Sequence, residues 1–400
     1  MEVRAGYKKT DFGLIPEDWE LLTIEELITR GFIEKPLDGN HGNIHPKSSD
    51  FVESGIPFVM ANNINNGIVD LNNCHFIRKE QADKLQKGFS LSGDILFTHK
   101  GTVGNVAIVE KISTSYIMLT PQVTYYRVKN YGLISNIYIQ QYFLGDYFQK
   151  IIKNISGGGT RAYIGITSQR QLPFILPPTI EEQIAIATTL SDADTLISSL
   201  EKLIAKKRNI KQGAMQKLLK QKKGWEIKKL GDVAQIYTGK KNNQDKVENG
   251  IYPFFVRSQN VERIDSYSFD GEAILIPGEG NIGGIFHYIN GKFDFHQRVY
   301  KISNFGEKYS CKYIYCYISE HFGKHAMQNS VKATVDSLRL PTFQVFEVPF
   351  PPTKEEQMQI ATILNDMDAE ITALETKLDK YRKVKLGMMQ NLLTGKIRLI

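Results

Sequence analysis

Apolar residues recur at Ile186, Leu190, Ala193, Ile197, Leu200 and Ile204, and again at Ile360, Leu364, Met367, Ile371, Leu374 and Leu378. The steps alternate four and three, about 3.5 residues on average. That is the period of a coiled-coil seam, not of the wider stripe a helix lays on a globular core. Pro-Pro-Thr precedes each run and Glu-Glu-Gln opens it. Thr179 and Thr353 therefore predict N-caps, with Glu182 and Glu356 three residues on in the capping-box pattern. Each helix should run about 40 residues, or about 60 Å at 1.5 Å per residue. The seam turns polar at Lys207 and Lys211, and at Tyr381 and Lys385, before Leu218 and Leu392 restore it. Two seams of equal length pair most simply with each other, antiparallel, with a module at either end of a rod.

The two runs belong to one repeat. Residues 177–219 and 351–393 align without a gap at an offset of 174, matching Pro177 to Pro351, Gln183 to Gln357, Asp194 to Asp368, Arg208 to Arg382 and Gly213 to Gly387. The segments before the helices correspond more loosely. Trp19-Glu20 and Trp225-Glu226 open them, Asp94–Phe97 resembles Ala273–Ile276, and Gly101 and Gly104 match Gly280 and Gly283. Gln122 and Tyr125 match Gln297 and Tyr300, and a helical stretch at Tyr138, Ile139 and Tyr142 matches Tyr313, Ile314 and Tyr317. Short β-branched and aromatic runs between Gly and Asn predict strands for most of each module. The expected fold is α+β: two mixed modules, residues 1–175 and 223–348, separated by two long antiparallel coiled-coil helices, 176–222 and 349–400, in a pseudo-two-fold repeat. Helices that stay alike while modules diverge fit a generic rod carrying specific modules.

Composition adds a partner class. The chain has 400 residues, a net charge of +7 and a pI near 9.0. Eleven Lys or Arg fall between residues 201 and 229 against two acids, a stripe suited to a polyanion or to a solvated helix face. No apolar run approaches the ~18 residues of a membrane span, and the N-terminus lacks the apolar stretch of a signal peptide. Cys74, Cys311 and Cys316 make no disulfide framework, which suits a reducing cytoplasm.

The enzyme motifs fail one after another. Gly278-Glu279-Gly280-Asn281-Ile282-Gly283 is a literal GxGxxG, but Ile285–Ile289 reads as strand where a dinucleotide site needs a helix, so a strand-linking turn is expected. Cys311, Cys316, His321 and His325 have zinc-ligand types, yet Asn136, Gln141, Asp146 and Lys150 stand at the matching places of the first module. The Pro-Pro pairs lack the preceding amide of a base methyltransferase. No catalytic residue and no cofactor is expected in this chain.

Loop residues that suit nucleic acid are His99, Lys100, Arg161, Gln169 and Arg170 in the first module. In the second they are Lys240, Lys241, Arg257, Gln259, Arg298, Lys332 and Arg339. Arg and Gln offer bidentate contacts to base edges, and Lys mainly meets phosphate. Arg170 matches Arg339, and Arg161 roughly matches Lys332, which suggests backbone or structural roles. His99, Lys100, Arg257, Gln259 and Arg298 are unshared and better suited to reading different sequences.

The order Trp-Glu start, variable module, Pro-Pro-Thr-x-Glu-Glu-Gln helix, repeated once and ending near Gly213–Leu219 and Gly387–Leu393, closely resembles specificity subunits of Type I restriction–modification systems. The resemblance covers essentially the whole chain. It implies a non-catalytic subunit with two target-recognition domains, each reading half of a bipartite, asymmetric duplex DNA site. It further implies two methyltransferase subunits docked on the helices, with restriction and translocase subunits joining, and with S-adenosylmethionine, ATP and Mg in those partners. Two other readings remain: a two-module scaffold that binds protein, and a single-chain enzyme, for which an N-terminal methyltransferase would need room ahead of Trp19.

Overall fold

The structure is a computed structural model and describes residues 5–11, 13–65, 67–157, 162–329 and 337–399. The chain divides into two compact units, Met1–Leu200 with Lys377–Ile400, and Glu201–Thr376. Helices Ile180–Leu218 and Lys354–Leu392 each contribute to both.

In the first unit the start and end of the module pair. Strand Glu20–Thr23 runs antiparallel to Pro173–Leu176, with Thr23 opposite Pro173 and Glu20 opposite Leu176. Between them lie one short two-stranded sheet and two larger ones. One has four strands in the order Thr102–Ile108, Ile95–Lys100, Val123–Tyr126, Leu37–Asp38. The other has five, with Ile117–Leu119 parallel to Ile56–Val59 at its centre. The expected helix around Tyr138 is two helices, Asn136–Leu144 and Asp146–Ile155, because Gly145 leaves helical geometry at ψ 137°. Trp19, Phe97, Tyr126, Tyr138, Phe143, Phe148 and Phe174 are all fully buried, and Phe143 stacks on Phe148 at 4.4 Å. Each such ring contributes about 3–5 kcal/mol relative to Ala.

The second unit repeats this plan. Glu226–Lys229 pairs antiparallel with Glu347–Phe350. Here one six-stranded sheet carries what two sheets carry in the first unit, because strand His287–Phe295 is long enough to pair antiparallel with Phe269–Pro277 at one end and parallel with Tyr252–Phe255 at the other. One unbroken helix, Cys311–Gln328, packs behind.

The Glu-Glu-Gln motif docks each long helix on its module. Gln183 accepts from the Ser135 amide at 3.0 Å and donates to the Leu133 and Pro177 carbonyls. Gln357 does the same with the Ser310 amide at 2.9 Å and with Lys308 and Pro351. Both glutamines are buried and have acceptor and donors satisfied, so each fixes a helix without an unpaired polar atom. Thr179 and Thr353 cap as expected, each accepting from the amide three residues on at 3.2 Å. The reciprocal half of the box is diverted in the first helix: the Glu182 carboxylate takes the Trp19 indole N–H and the Arg398 guanidinium.

Within each unit the two helix segments are antiparallel. Ile186, Ala187 and Leu190 share a core with Met389, Leu392 and Leu393 in the first. Ile360, Ala361 and Leu364 share one with Met215 and Leu219 in the second. The polar seam positions also have a reason. Lys385 pairs with Asp194 in the first unit, and Lys211 pairs with Asp368 in the second, which are the same two repeat positions used twice. Lys207 meets Glu370 at 2.6 Å. Such pairs add little stability where water reaches them, but a shift of register would leave each without its partner.

Seam burial is uneven. Ile186, Leu190, Leu200, Ile204, Ile360, Leu364, Ile371 and Leu378 are buried, whereas Ile197 and Leu374 are half-buried.

Candidate nucleic-acid interface

Four strand ends converge in each unit. In the first unit they are the turns after Asp38, Val59, Lys100 and Leu119; in the second, after Thr238, Phe255, Pro277 and Phe295. Backbone contacts establish the equivalence. His99 N–H donates to Gln122 O, and Ile164 N–H to His99 O. Gly278 N–H donates to Arg298 O, and Leu338 N–H to Gly278 O. Lys100 bridges to Tyr163 as Glu279 bridges to Ser337. His99 therefore corresponds to Gly278, Lys100 to Glu279, and Gln122 to Arg298, so the sequence matches of Gln122 to Gln297 and of Tyr125 to Tyr300 are each one residue out of register. Pairing of Val59 with Leu119 and of Phe255 with Phe295 likewise places Ala61 opposite Arg257 in the comparison.

Two glycines shape the first turn. A Cβ at Gly39 would lie 1.9 Å from Leu119 O, and one at Gly239 would lie 1.9 Å from Phe295 O. Only glycine permits this close approach of turn to strand. Their numbers differ by 200, not 174, so insertions hid the match from the sequence repeat. The glycine-rich run 278–283 is the expected strand-linking turn, between Phe269–Pro277 and His287–Phe295. Gly283, at φ 66°, lies where a Cβ would be 2.8 Å from the Gly323 Cα of the packed helix.

In the first unit the turns surround a carboxylate. Asp38 is 4% exposed, accepts from His41 Nε2 at 2.7 Å and pairs with Lys87. Burial opposes its charge, but the bonds from Lys87 and His41 outweigh it and hold its pKa below the ordinary aspartate value. His99 lies behind, 1% exposed, with Nδ1 2.7 Å from Thr124 Oγ1. Desolvation pushes its pKa down to about 4 despite Asp38 nearby, so the ring is neutral at pH 7. His99 is thus not a surface reader. Its counterpart Gly278 leaves that space to the Tyr300 ring, 2.7 Å from where a Cβ would stand.

Two more sequence candidates are structural. Gln169 is fully buried, accepting from Tyr126 Oη and donating to Ile164 O, both at 2.9 Å. Arg170 forms a two-pronged pair with Glu25. Its proposed match to Arg339 is also corrected: the short helices Ile166–Arg170 and Leu340–Gln344 correspond, so Arg339 stands at the N-cap, where Gly165 stands in the first unit. Arg161 and Lys332 lie outside the described residues. Lys100, Lys240, Arg257, Gln259, Arg298 and Arg339 are exposed, and Lys241 is half-buried, its carbonyl accepting from the Gln297 amide at 2.8 Å.

The second unit gathers its charges around Glu279. Arg257 Nη1 is 3.3 Å from one carboxylate oxygen and Arg298 Nη1 is 3.2 Å from the other. His296 is buried, and its Nδ1 accepts the Arg298 amide at 2.9 Å. Desolvation, then the two arginines, lower its pKa. The carboxylates Asp38 and Glu279 were missed from sequence because acids lack the charge expected of a DNA surface. The structure is what brings basic side chains onto each of them.

Elsewhere, Cys311 and Cys316 lie buried on one helix, their thiols pushed up by burial, and His325 bonds the Thr342 carbonyl at 2.9 Å. Among the described residues no three His, Cys, Asp or Glu side chains gather as a metal site, and no helix is long and apolar enough to cross a membrane.

The model for the Type I restriction modification DNA specificity domain matches this chain twice, over residues 16–212 and 222–381. The chain belongs to that family. A Methanocaldococcus jannaschii protein named as the MjaX specificity subunit of a type I restriction enzyme is 29% identical over 98% of this chain and 97% of its own length. The type I restriction enzyme MjaVIII specificity subunit of the same organism is 25% identical over 98% of this chain and 97% of its own. The crystal structure of a type I system S subunit from M. genitalium shares the fold, with a TM-score of 0.65 at 14% identity, covering 98% of both chains. The expected fold class and the family resemblance both stand.

Proposed function

We propose that this chain is the DNA-recognition subunit of a Type I restriction–modification enzyme and that each module reads one half of a bipartite, asymmetric target. The observation that carries this reading is the contrast at equivalent turns. One scaffold presents Ala61, Lys100 and Gln122 in the first unit and Arg257, Glu279 and Arg298 in the second. Shared backbone with unshared side chains is what reading two different sequences requires. The surface readers are Lys100, Lys240, Lys241, Arg257, Gln259, Arg298 and Arg339, with His41 and Lys87 added.

Residues 1–175 and 223–348 act as the recognition domains, and 176–222 and 349–400 set their separation and dock two methyltransferase subunits. Half-sites one turn apart are ~34 Å between centres, within reach of ~60 Å helices. Restriction and translocase subunits complete the complex in the cytoplasm. The chain itself is non-catalytic; S-adenosylmethionine, ATP and Mg belong to its partners.

Binding of duplex DNA measured against salt tests this. With six or so phosphate contacts, affinity should fall about a thousandfold between 50 and 200 mM salt. Salt-independent or absent DNA binding by the assembled complex would favour a protein-interaction scaffold.

A further inference from the structure

Glu279 sits at the tip of the Gly278–Gly280 turn, held on both sides by backbone: Gly278 bonds Arg298 and Leu338, and Glu279 bridges to Ser337. Its side chain is 22% exposed, while those of Arg257 and Arg298 are 46% and 52% exposed. Each arginine approaches the carboxylate through Nη1. Among the described residues neither guanidinium meets an acceptor other than Glu279, and both side chains are about half exposed. The turn bearing Arg298 is fixed in addition by the His296 ring and by Gln297, whose amide bonds Lys241 O and whose side chain bonds Asn242.

A planar pair of donors matches the O6 and N7 acceptors of guanine in the major groove. Phosphate would also accept such an edge. However, two arginines sharing one carboxylate keep only about one net positive charge, poor for attracting a polyanion and suited to holding two flat forks still. The positions are also those at which the two units differ. We infer that Arg257 and Arg298 each read a guanine in the half-target faced by the second module, with Glu279 as the residue that positions both. This rests on the DNA-recognition reading above and deepens it.

The test selects bound duplexes from a randomised pool, using the chain assembled with its methyltransferase subunits. The native complex should select two half-targets, one of them with guanine at two positions. Arg257→Lys and Arg298→Lys keep the charge but lose the fork. Each should relax one of those guanines, and not the other, by about 10- to 100-fold. Glu279→Gln should relax both more weakly. Replacing each guanine by 7-deazaguanine, which lacks the N7 acceptor, should weaken the native complex and leave the matching Lys variant unaffected. Retained selection of the remaining guanine in the same half-target shows that the second module of a variant is folded. If every base preference survives in both Lys variants, the arginines meet phosphate and the inference is wrong. If the native complex selects no sequence at all, the DNA-recognition reading itself fails.

Discussion

His99 is a reader by residue type and a buried neutral ring by structure, and the difference has a measurable consequence. Its folded pKa is near 4, below the ordinary 6.5. Below pH 6.5 the unfolded chain takes up a proton that the folded chain refuses. Stability conferred by the neutral ring is therefore complete above pH 6.5 and declines as pH falls to about 4, by about 3 kcal/mol in total. Urea midpoints of the native protein and of His99→Gln, compared over that range, should show a shallower decline in the variant. Equal slopes would mean that His99 is hydrated in the folded state. The caps at Thr179 and Thr353 were legible because a cap depends on residues three apart. His99, Gln169 and Arg170 were not, because their partners Thr124, Tyr126 and Glu25 come from other strands and helices that local spacing does not reveal.

Secondary elements were legible where periodicity is long. Both helices appear with starts at the predicted caps, and the polar seam positions proved to be Lys385–Asp194 and Lys211–Asp368. The seam is tighter in some places than others. Leu200 is 6% exposed and Leu374 half-buried. Leu200→Asp should therefore cost about 3 kcal/mol or more, and Leu374→Asp about half that, since only the first charge is held fully away from water. Thermal unfolding with recovery of methyltransferase-bound complex checks the order. Equal effects, or assembly surviving both substitutions, would mean that the seam does not hold the helices together. Strand organisation was less legible. Insertions shift Gly39 and Gly239 out of the helix repeat, and two sheets in one unit become one in the other when a single strand is long enough to join them.

At the scale of the molecule, the two units share the way a module closes on its long helix, although their sheets and central helices differ. In both, the Glu-Glu-Gln glutamine ties a long helix to the N-cap serine of a module helix, and a strand near the module's start pairs with its last strand. Where the four strand ends meet, equivalent backbone carries different side chains. If the turns do the reading, the modules should be exchangeable, because the docking contacts of Gln183 and Gln357 lie apart from those turns. The most direct measurement replaces residues 20–170 with the matching module of a relative and maps methylated adenines in a host that also carries the methyltransferase. One half of the methylated target should change, and the other half should stay as it was. A target altered in both halves, or in neither, would contradict the account of this chain as two independent readers on one frame.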